Sequence, residues 1–319
     1  AEARQGMLHL ALMQKNLGKT DEAIAAYQSV ISDAPTSQEA KVAAEDLKRI
    51  YAERGELQNY VAFIETVPNA PKLEVSDIDR LTYEAAEKAA TATRPSIVKM
   101  ENYLRDYPNG AYVWEAKYQI GRYHYEKGNL AQAYDQITEA LAHAEDAVWA
   151  EDALVMKSDI LVRQNKHEEA IKVYEQIIDR SNNDDTKVVA QMGLMRAATD
   201  INQFDLVVST ADVLLQNPSL TADEVADVKL ARAVGYIGKK NFDAAEVDLK
   251  ALSGDMTTEQ GARAAYELAR LEMERGNYKG AEERVDQILD SGTPQTYWIG
   301  KTYILLSDIL VKENRSSAA

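Results

Sequence analysis

Residues 112–144 read YVWEAKYQIGRYHYEKGNLAQAYDQITEALAHA, and the spacing within them decides the fold. Ile120, Gly121 and Tyr123 to Tyr125 fall on one segment, and Leu130, Ala133, Ile137 and Ala140 on the next, with Gly128-Asn129 between them. Apolar residues recurring at three, four and seven make each segment an amphipathic helix. A break this short turns the second helix back antiparallel to the first. Gly121 and Ala133 sit where the two would touch, and small side chains there let the backbones approach.

The pattern recurs along the chain. Turns at Asn165-Lys166, Lys240-Asn241 and Gly276-Asn277 precede Ala170, Ala245 and Ala281, and upstream Gly18 precedes Ala23 and Tyr27. The small first-helix position is filled by Ala11, Gly121, Ser158, Ala233, Ala269 and Ser307, separated by about 37 residues or a multiple of it. Thr36 with Glu39, Thr221 with Glu224 and Thr257 with Gln260 have the spacing of capping boxes, each opening a first helix in phase. Pro35, Pro108, Pro218 and Pro294 fall after second helices, where a helix must end. The spacing predicts units near 1–34, 36–67, 76–107, 110–144, 147–180, 184–217, 221–253 and 257–291 in a single domain, then a lone capping helix over 295–313 and a disordered tail over 314–319. The fold class expected is all-α, an α-α superhelix of about eight hairpins plus the capping helix.

Composition agrees. The chain has 319 residues with 36 basic and 52 acidic side chains, a net charge of −16. Such a field repels phosphate backbones and argues against nucleic acid as a partner. No run of apolar residues is long enough to span a membrane. Zero cysteines exclude disulfides and thiolate metal sites, and fit the cytoplasm as well as the periplasm. The chain begins Ala1-Glu2-Ala3 without Met or a charged-then-apolar leader, so a leader, if encoded, is expected to have been removed.

Gly121, Gly128, Leu130, Ala133 and Ala140, with Pro35 or Pro108 at unit ends, resemble the tetratricopeptide repeat consensus, and the resemblance covers essentially the whole chain. The junction Asp106-Tyr107-Pro108-Asn109-Gly110 resembles those of bacterial cell-envelope tetratricopeptide proteins, of the outer-membrane assembly lipoprotein and periplasmic cell-division coordinator types. That resemblance implies a periplasmic or outer-membrane-associated protein. Two units depart from the consensus: Lys48 and Glu84 or Ala85 stand at the small first-helix position, and Tyr60 and Ser96 or Ile97 at the second-helix one. The two prolines between Pro68 and Ser76 lengthen one connection.

Catalysis needs convergent groups, and few are in sight. The four histidines, His9, His124, His143 and His167, lack metal-ligand partners at a useful spacing, and no GxSxG, phosphate-loop or dinucleotide motif is present. His124 reads as a packing residue and His167 as a turn residue. Acidic pairs such as Glu168-Glu169 and Glu282-Glu283 read as solvated helix faces. No catalytic residue, metal site or cofactor is expected.

Binding has more to draw on. In the resembled family the first helices line the concave face, which implies groove positions at Tyr118, Arg122 and Tyr125, at Met192 and Arg196, and at Tyr266, Arg270 and Met273. The three arginines recur every 74 residues, two repeats each time. Arginine offers bidentate donors and tyrosine rigid contact area, which suits an extended acidic or carboxylate-bearing peptide. A plainer reading stands beside it, because each arginine has an acid four residues on, Glu126, Asp200 and Glu274, within reach of an intrahelical ion pair. Tyr27, Tyr174 and Tyr236 read as packing residues. Trp114, Trp149 and Trp298 open first helices, where a large ring seals one pair against the next. Gln119 and Met156 stand where the family's chaperone-binding carboxylate clamp needs Lys and Asn. The function expected is a non-catalytic scaffold for a protein or peptide partner. A structural, self-associating segment of a larger envelope protein and an accessory domain of a cell-wall enzyme are the alternatives.

Overall fold

The computed structural model describes residues 2–70, 72–143, 146–313 and 315, and among them seventeen α-helices and no strand. They run as eight consecutive pairs and a last helix. The first four pairs are α1 (Glu2–Asn16) with α2 (Thr20–Asp33), α3 (Gln38–Arg54) with α4 (Leu57–Thr66), α5 (Val75–Ala90) with α6 (Val98–Asp106), and α7 (Val113–Glu126) with α8 (Leu130–Leu141). Next come α9 (Ala150–Arg163) with α10 (His167–Arg180), α11 (Asp184–Asp200) with α12 (Phe204–Leu214), α13 (Ala222–Gly238) with α14 (Phe242–Leu252), and α15 (Glu259–Glu274) with α16 (Tyr278–Asp290). The last is α17 (Thr296–Lys312). The chain forms two compact units, residues 1–156 and 157–319, divided within α9. The tail expected over 314–319 lies outside the described residues apart from Arg315.

One turn geometry explains the pairing. Gly18, Gly55, Gly128, Asn165, Asn202, Lys240 and Gly276 all adopt positive φ, between 57° and 78°. In each turn the next residue's N–H returns to a carbonyl five positions back, as from Asn129 to His124 at 2.8 Å and from Asn277 to Glu272 at 2.9 Å. This closure satisfies the carbonyls at the end of the first helix and reverses the chain within three residues.

Contact between the paired helices depends on small residues. A Cβ on Gly121 would lie 2.7 Å from Cγ1 of Ile137, so α7 and α8 meet there as closely as backbone permits. Ala11, Ala23, Ala133, Ala170, Ala233, Ala245, Ala269 and Ala281 are fully buried. In the first unit the core gathers Tyr27, Ile31, Leu47 and Ile64, and further on Tyr83, Met100 and Tyr103. In the second it gathers Met195, Val207 and Leu214, then Leu249 and Leu268, then Val285, Leu305 and Ile309.

Two helix starts differ from the sequence expectation. Thr221 and Glu224 form a complete capping box. The other caps lie one residue later, at Ser37, whose Oγ accepts from the Ala40 N–H at 3.1 Å, and at Thr258, whose Oγ1 accepts from Gly261 at 3.0 Å. Thr257 instead donates its N–H and hydroxyl to Asp255, at 3.0 and 2.6 Å. A side chain on Gly261 would strike the Asp255 carbonyl, so glycine lets this turn close against the helix.

The second and third pairs carry larger residues at their contacts. Tyr60 and Ile97 are buried while Ser96 is exposed, and Ala86 rather than Glu84 or Ala85 is the buried small residue of α5. Lys48 turns its ammonium to Glu45 at 2.7 Å. Seven residues, Thr91 to Ile97, link α5 to α6, against three between α7 and α8.

Candidate functional site

The expected groove residues fall on three first helices. On α7, Tyr118 is 5 % exposed, and its hydroxyl donates to Oδ2 of Asp152 on α9 at 2.6 Å. Its ring stacks on Trp149, with centroids 4.9 Å apart and planes 12° from parallel. Burial, and then the Asp152 carboxylate, push the Tyr118 hydroxyl pKa up to about 12. One turn on, Arg122 meets both the Tyr118 hydroxyl and Glu126, its Nε lying 3.2 Å from Oε1 of the acid. Tyr125 is partly buried. Tyr118 is thus already engaged on both ring and hydroxyl. Asp152, which sequence reasoning did not single out, stands 34 residues after Tyr118, about one repeat; that spacing was its signal.

In the second unit, Met192 on α11 is 8 % exposed and packs into the core with Met195 and Leu214. Its burial leaves Arg196 as the exposed member of that pair. The intrahelical bridge from Arg196 to Asp200 is not formed among the described residues; Asp200 lies instead 3.5 Å from Nδ1 of His167 on α10. On α15, Arg270 pairs with Glu267 at 2.7 Å rather than with Glu274. Glu267 is buried, and a buried carboxylate has more to gain from the cation than a solvated one. Tyr266 and Met273 are partly buried against Val285, Leu305 and Ile309.

Other aromatic residues also have partners within the chain. Trp114 stacks on His143 at 3.9 Å, with Lys117 5.5 Å from its ring. His124 is partly buried, with Nδ1 3.4 Å from the amide nitrogen of Asn129 in the adjoining turn. Tyr107 of the Asp106–Gly110 junction places its hydroxyl 3.3 Å from Gln58 Nε2 and 3.5 Å from Thr82 Oγ1, so that tyrosine ties successive pairs together. Among the described residues no group of three or more His, Asp or Glu side chains is arranged to hold a metal ion, and no helix is long and apolar enough to cross a membrane.

Residues 5–37 and 118–185 match tetratricopeptide repeat models. Comparison with the curated proteins gives no match. Among solved structures, the apo form of RapI is similar over 97 % of this chain and 82 % of its own, at 12 % identity and a TM-score of 0.51. A tetratricopeptide repeat protein from Parabacteroides merdae is similar over 97 % of this chain and all of its own, at 10 % identity and a TM-score of 0.37. A Rap protein complexed with competence and sporulation factor is similar over 99 % and 88 %, at 14 % and 0.40. Of these three, the RapI match superposes well enough to bear on the fold, and at its identity it shows the fold alone. The matched segments, residues 5–37 and 118–185, read as tetratricopeptide repeats within an all-α repeat fold, and repeats of this kind indicate a protein–protein interaction scaffold.

Proposed function

We propose that the chain is a non-catalytic scaffold that docks a partner protein, or an extended carboxylate-bearing segment of one, on the concave face lined by its first helices. The observation that carries this reading is Arg196. In a chain of net charge −16 its guanidinium is exposed and has no ion pair among the described residues. An exposed planar fork of donors suits a carboxylate supplied by a partner. Arg122 occupies the equivalent place on α7 and can trade Glu126 for a ligand, because exposed pairs are weak, while Arg270 on α15 keeps buried Glu267 and offers its remaining donors. The bacterial-envelope setting, in the periplasm or at the outer membrane, rests on the resemblance of the Asp106–Gly110 junction to envelope tetratricopeptide proteins, and cell fractionation tests it. The scaffold reading is tested by pull-down from native envelope extracts with the chain and with Arg122→Glu, Arg196→Glu and Arg270→Glu combined. Loss of a reproducible partner is expected, and unchanged recovery would sink the reading.

A second reading, a self-associating structural segment, is favoured by the apolar faces of the terminal helices. Met7, Leu10 and Met13 on α1, and Tyr303, Ile304 and Val311 on α17, are exposed. Light scattering decides it, since a strict monomer at high concentration counts against self-association.

A further inference from the structure

Between α15 and α17 the second unit holds a basic and aromatic cluster whose donors are unmatched. Trp298 is 8 % exposed, yet its indole Nε1–H is buried without a hydrogen-bond partner. Arg263 lies with its guanidinium carbon 5.7 Å from the centre of the Trp298 ring, and its Nε is likewise buried without a partner. Tyr266 and Tyr297 flank the indole at 5.5 and 5.0 Å, and the Lys301 ammonium sits 5.9 Å from the centre of the Tyr266 ring. Neither Arg263 nor Lys301 has an ion pair among the described residues. Glu267 is taken by Arg270, and Asp308, seven residues after Lys301 on α17, is exposed.

Cation–ring stacking alone is ordinary packing. Two adjoining buried N–H groups without acceptors are not, because native structures pair nearly all such groups. Indole, guanidinium and ammonium groups only donate, so what completes the cluster must bring acceptors. Two unpaired cations select an anionic acceptor. Three aromatic rings give that acceptor's carrier a rigid apolar wall. The chain's overall negative field disfavours a polyanion but leaves one carboxylate, locally paired, at little cost. We infer that Arg263, Trp298 and Lys301 form a binding site for a peptide carboxylate, with Tyr266 and Tyr297 holding the residue beside it. The site rests on the reading that the chain docks a protein segment, and it shares Tyr266 with the first-helix face.

The test follows the indole N–H resonances of the full chain labelled with 15N-tryptophan, with the Trp298 signal assigned from Trp298→Phe. The probe is an N-acetylated, C-amidated peptide with a single Glu flanked by Tyr; the controls are the same peptide with Gln for Glu, and sodium acetate at equal carboxylate concentration. The Glu peptide is expected to shift the Trp298 signal and leave those of Trp114 and Trp149, while both controls leave it in place. Arg263→Gln and Lys301→Gln are each expected to weaken the interaction about tenfold, and Lys279→Gln, on the exposed face of α16, to leave it unchanged. An unmoved Trp298 signal, an equal shift from either control, or full affinity in both Arg263→Gln and Lys301→Gln overturns the site. Partner recovery in the pull-down is read separately, so a shift at Trp298 with groove variants that still capture the partner sinks the groove reading and not this one.

Discussion

Arg232 meets Asp248 through two parallel hydrogen bonds, Nε to Oδ2 and Nη2 to Oδ1, both 2.8 Å, and Asp248 is 3 % exposed. The same guanidinium donates from Nη1 to Asp212 at 2.7 Å, so one side chain on α13 ties α12 and α14 together. Hydrogen bonding to Asp248, first among several causes, raises the already high Arg232 pKa, and the fork stays charged at any working pH. Removing it leaves a carboxylate buried without a counter-charge. Arg232→Ala is expected to cost about 3–5 kcal/mol in urea unfolding. Arg232→Lys recovers part of that, because an ammonium cannot reproduce the fork. A loss under about 1 kcal/mol for Arg232→Ala would show that Asp248 finds water instead.

At the junction before α7, Tyr103 donates its hydroxyl to Oδ1 of Asp79 at 2.5 Å, the Ala111 N–H donates to Oδ2 at 2.7 Å, and the Tyr112 N–H donates to the Tyr103 hydroxyl at 3.2 Å. Burial, with Asp79 next, raises the Tyr103 pKa. Asp79→Ala strands the buried Tyr103 hydroxyl and takes the acceptor from the Ala111 N–H, and is expected to cost about 1–3 kcal/mol. A Cβ on Gly110 would strike the Tyr103 hydroxyl and lie 2.7 Å from Asp79, so Gly110→Ala breaks the same network from the loop side. Thermal unfolding of both variants checks this. A Gly110→Ala midpoint equal to the parent's would mean the loop moves aside without loss.

The repeat was legible because its two determinants are local. A positive-φ turn wants Gly or Asn, and a close helix contact wants a small residue, and both recur about every 37 positions as at Gly128 and Gly121. The candidate site was less legible because side-chain pairing depends on the neighbouring helix. The i+4 rule finds Glu126 for Arg122 but fails for Arg196, whose acid lies near His167 of another helix, and for Arg270, drawn to buried Glu267. It is equally silent on Arg263 and Trp298, which lie 35 residues apart and meet only once α15 and α17 are packed. The seven-residue link within the third pair has its own signal in Pro95, which a helix interior excludes, but the missing Gly or Asn turn leaves its length unmarked.

Lys240 holds φ at 59° in a turn where Gly18, Gly55, Gly128 and Gly276 stand in equivalent turns. A Cβ in that region clashes with the carbonyl that follows, at a cost of about 1–2 kcal/mol, and Lys240 is exposed with little packing to lose. Lys240→Gly is therefore expected to stabilise the second unit by about 1 kcal/mol, with part of the gain offset by the freer unfolded chain. Lys240→Asn is expected to give a smaller gain, as Asn165 and Asn202 tolerate the same geometry. Denaturant midpoints check both, and a destabilised Lys240→Gly would rule out backbone strain at this turn.

Two carboxylates make opposite contributions to the pH dependence of stability. Burial, and beyond it the charge of Glu87, raise the pKa of Glu115, although a hydrogen bond from Tyr83 pulls the other way. Its folded pKa lies above the unfolded one, so ionised Glu115 destabilises the fold at pH 7, and the penalty fades as pH falls through the folded value toward the unfolded one near about 4.3. Glu246 has its pKa lowered by hydrogen bonds from Lys250 and then Arg275. Its stabilisation is full above the unfolded pKa and is lost as pH drops through the lower folded value. At pH 7, Glu115→Gln is expected to raise the thermal midpoint and Glu246→Gln to lower it, each by roughly 1–3 °C. Near pH 3.5 the Glu115→Gln gain is expected to vanish, while the Glu246→Gln loss shrinks and disappears only at lower pH. Scanning calorimetry across that range checks both signs, and a Glu115→Gln gain that persists unchanged at pH 3.5 would trace the effect to packing rather than charge.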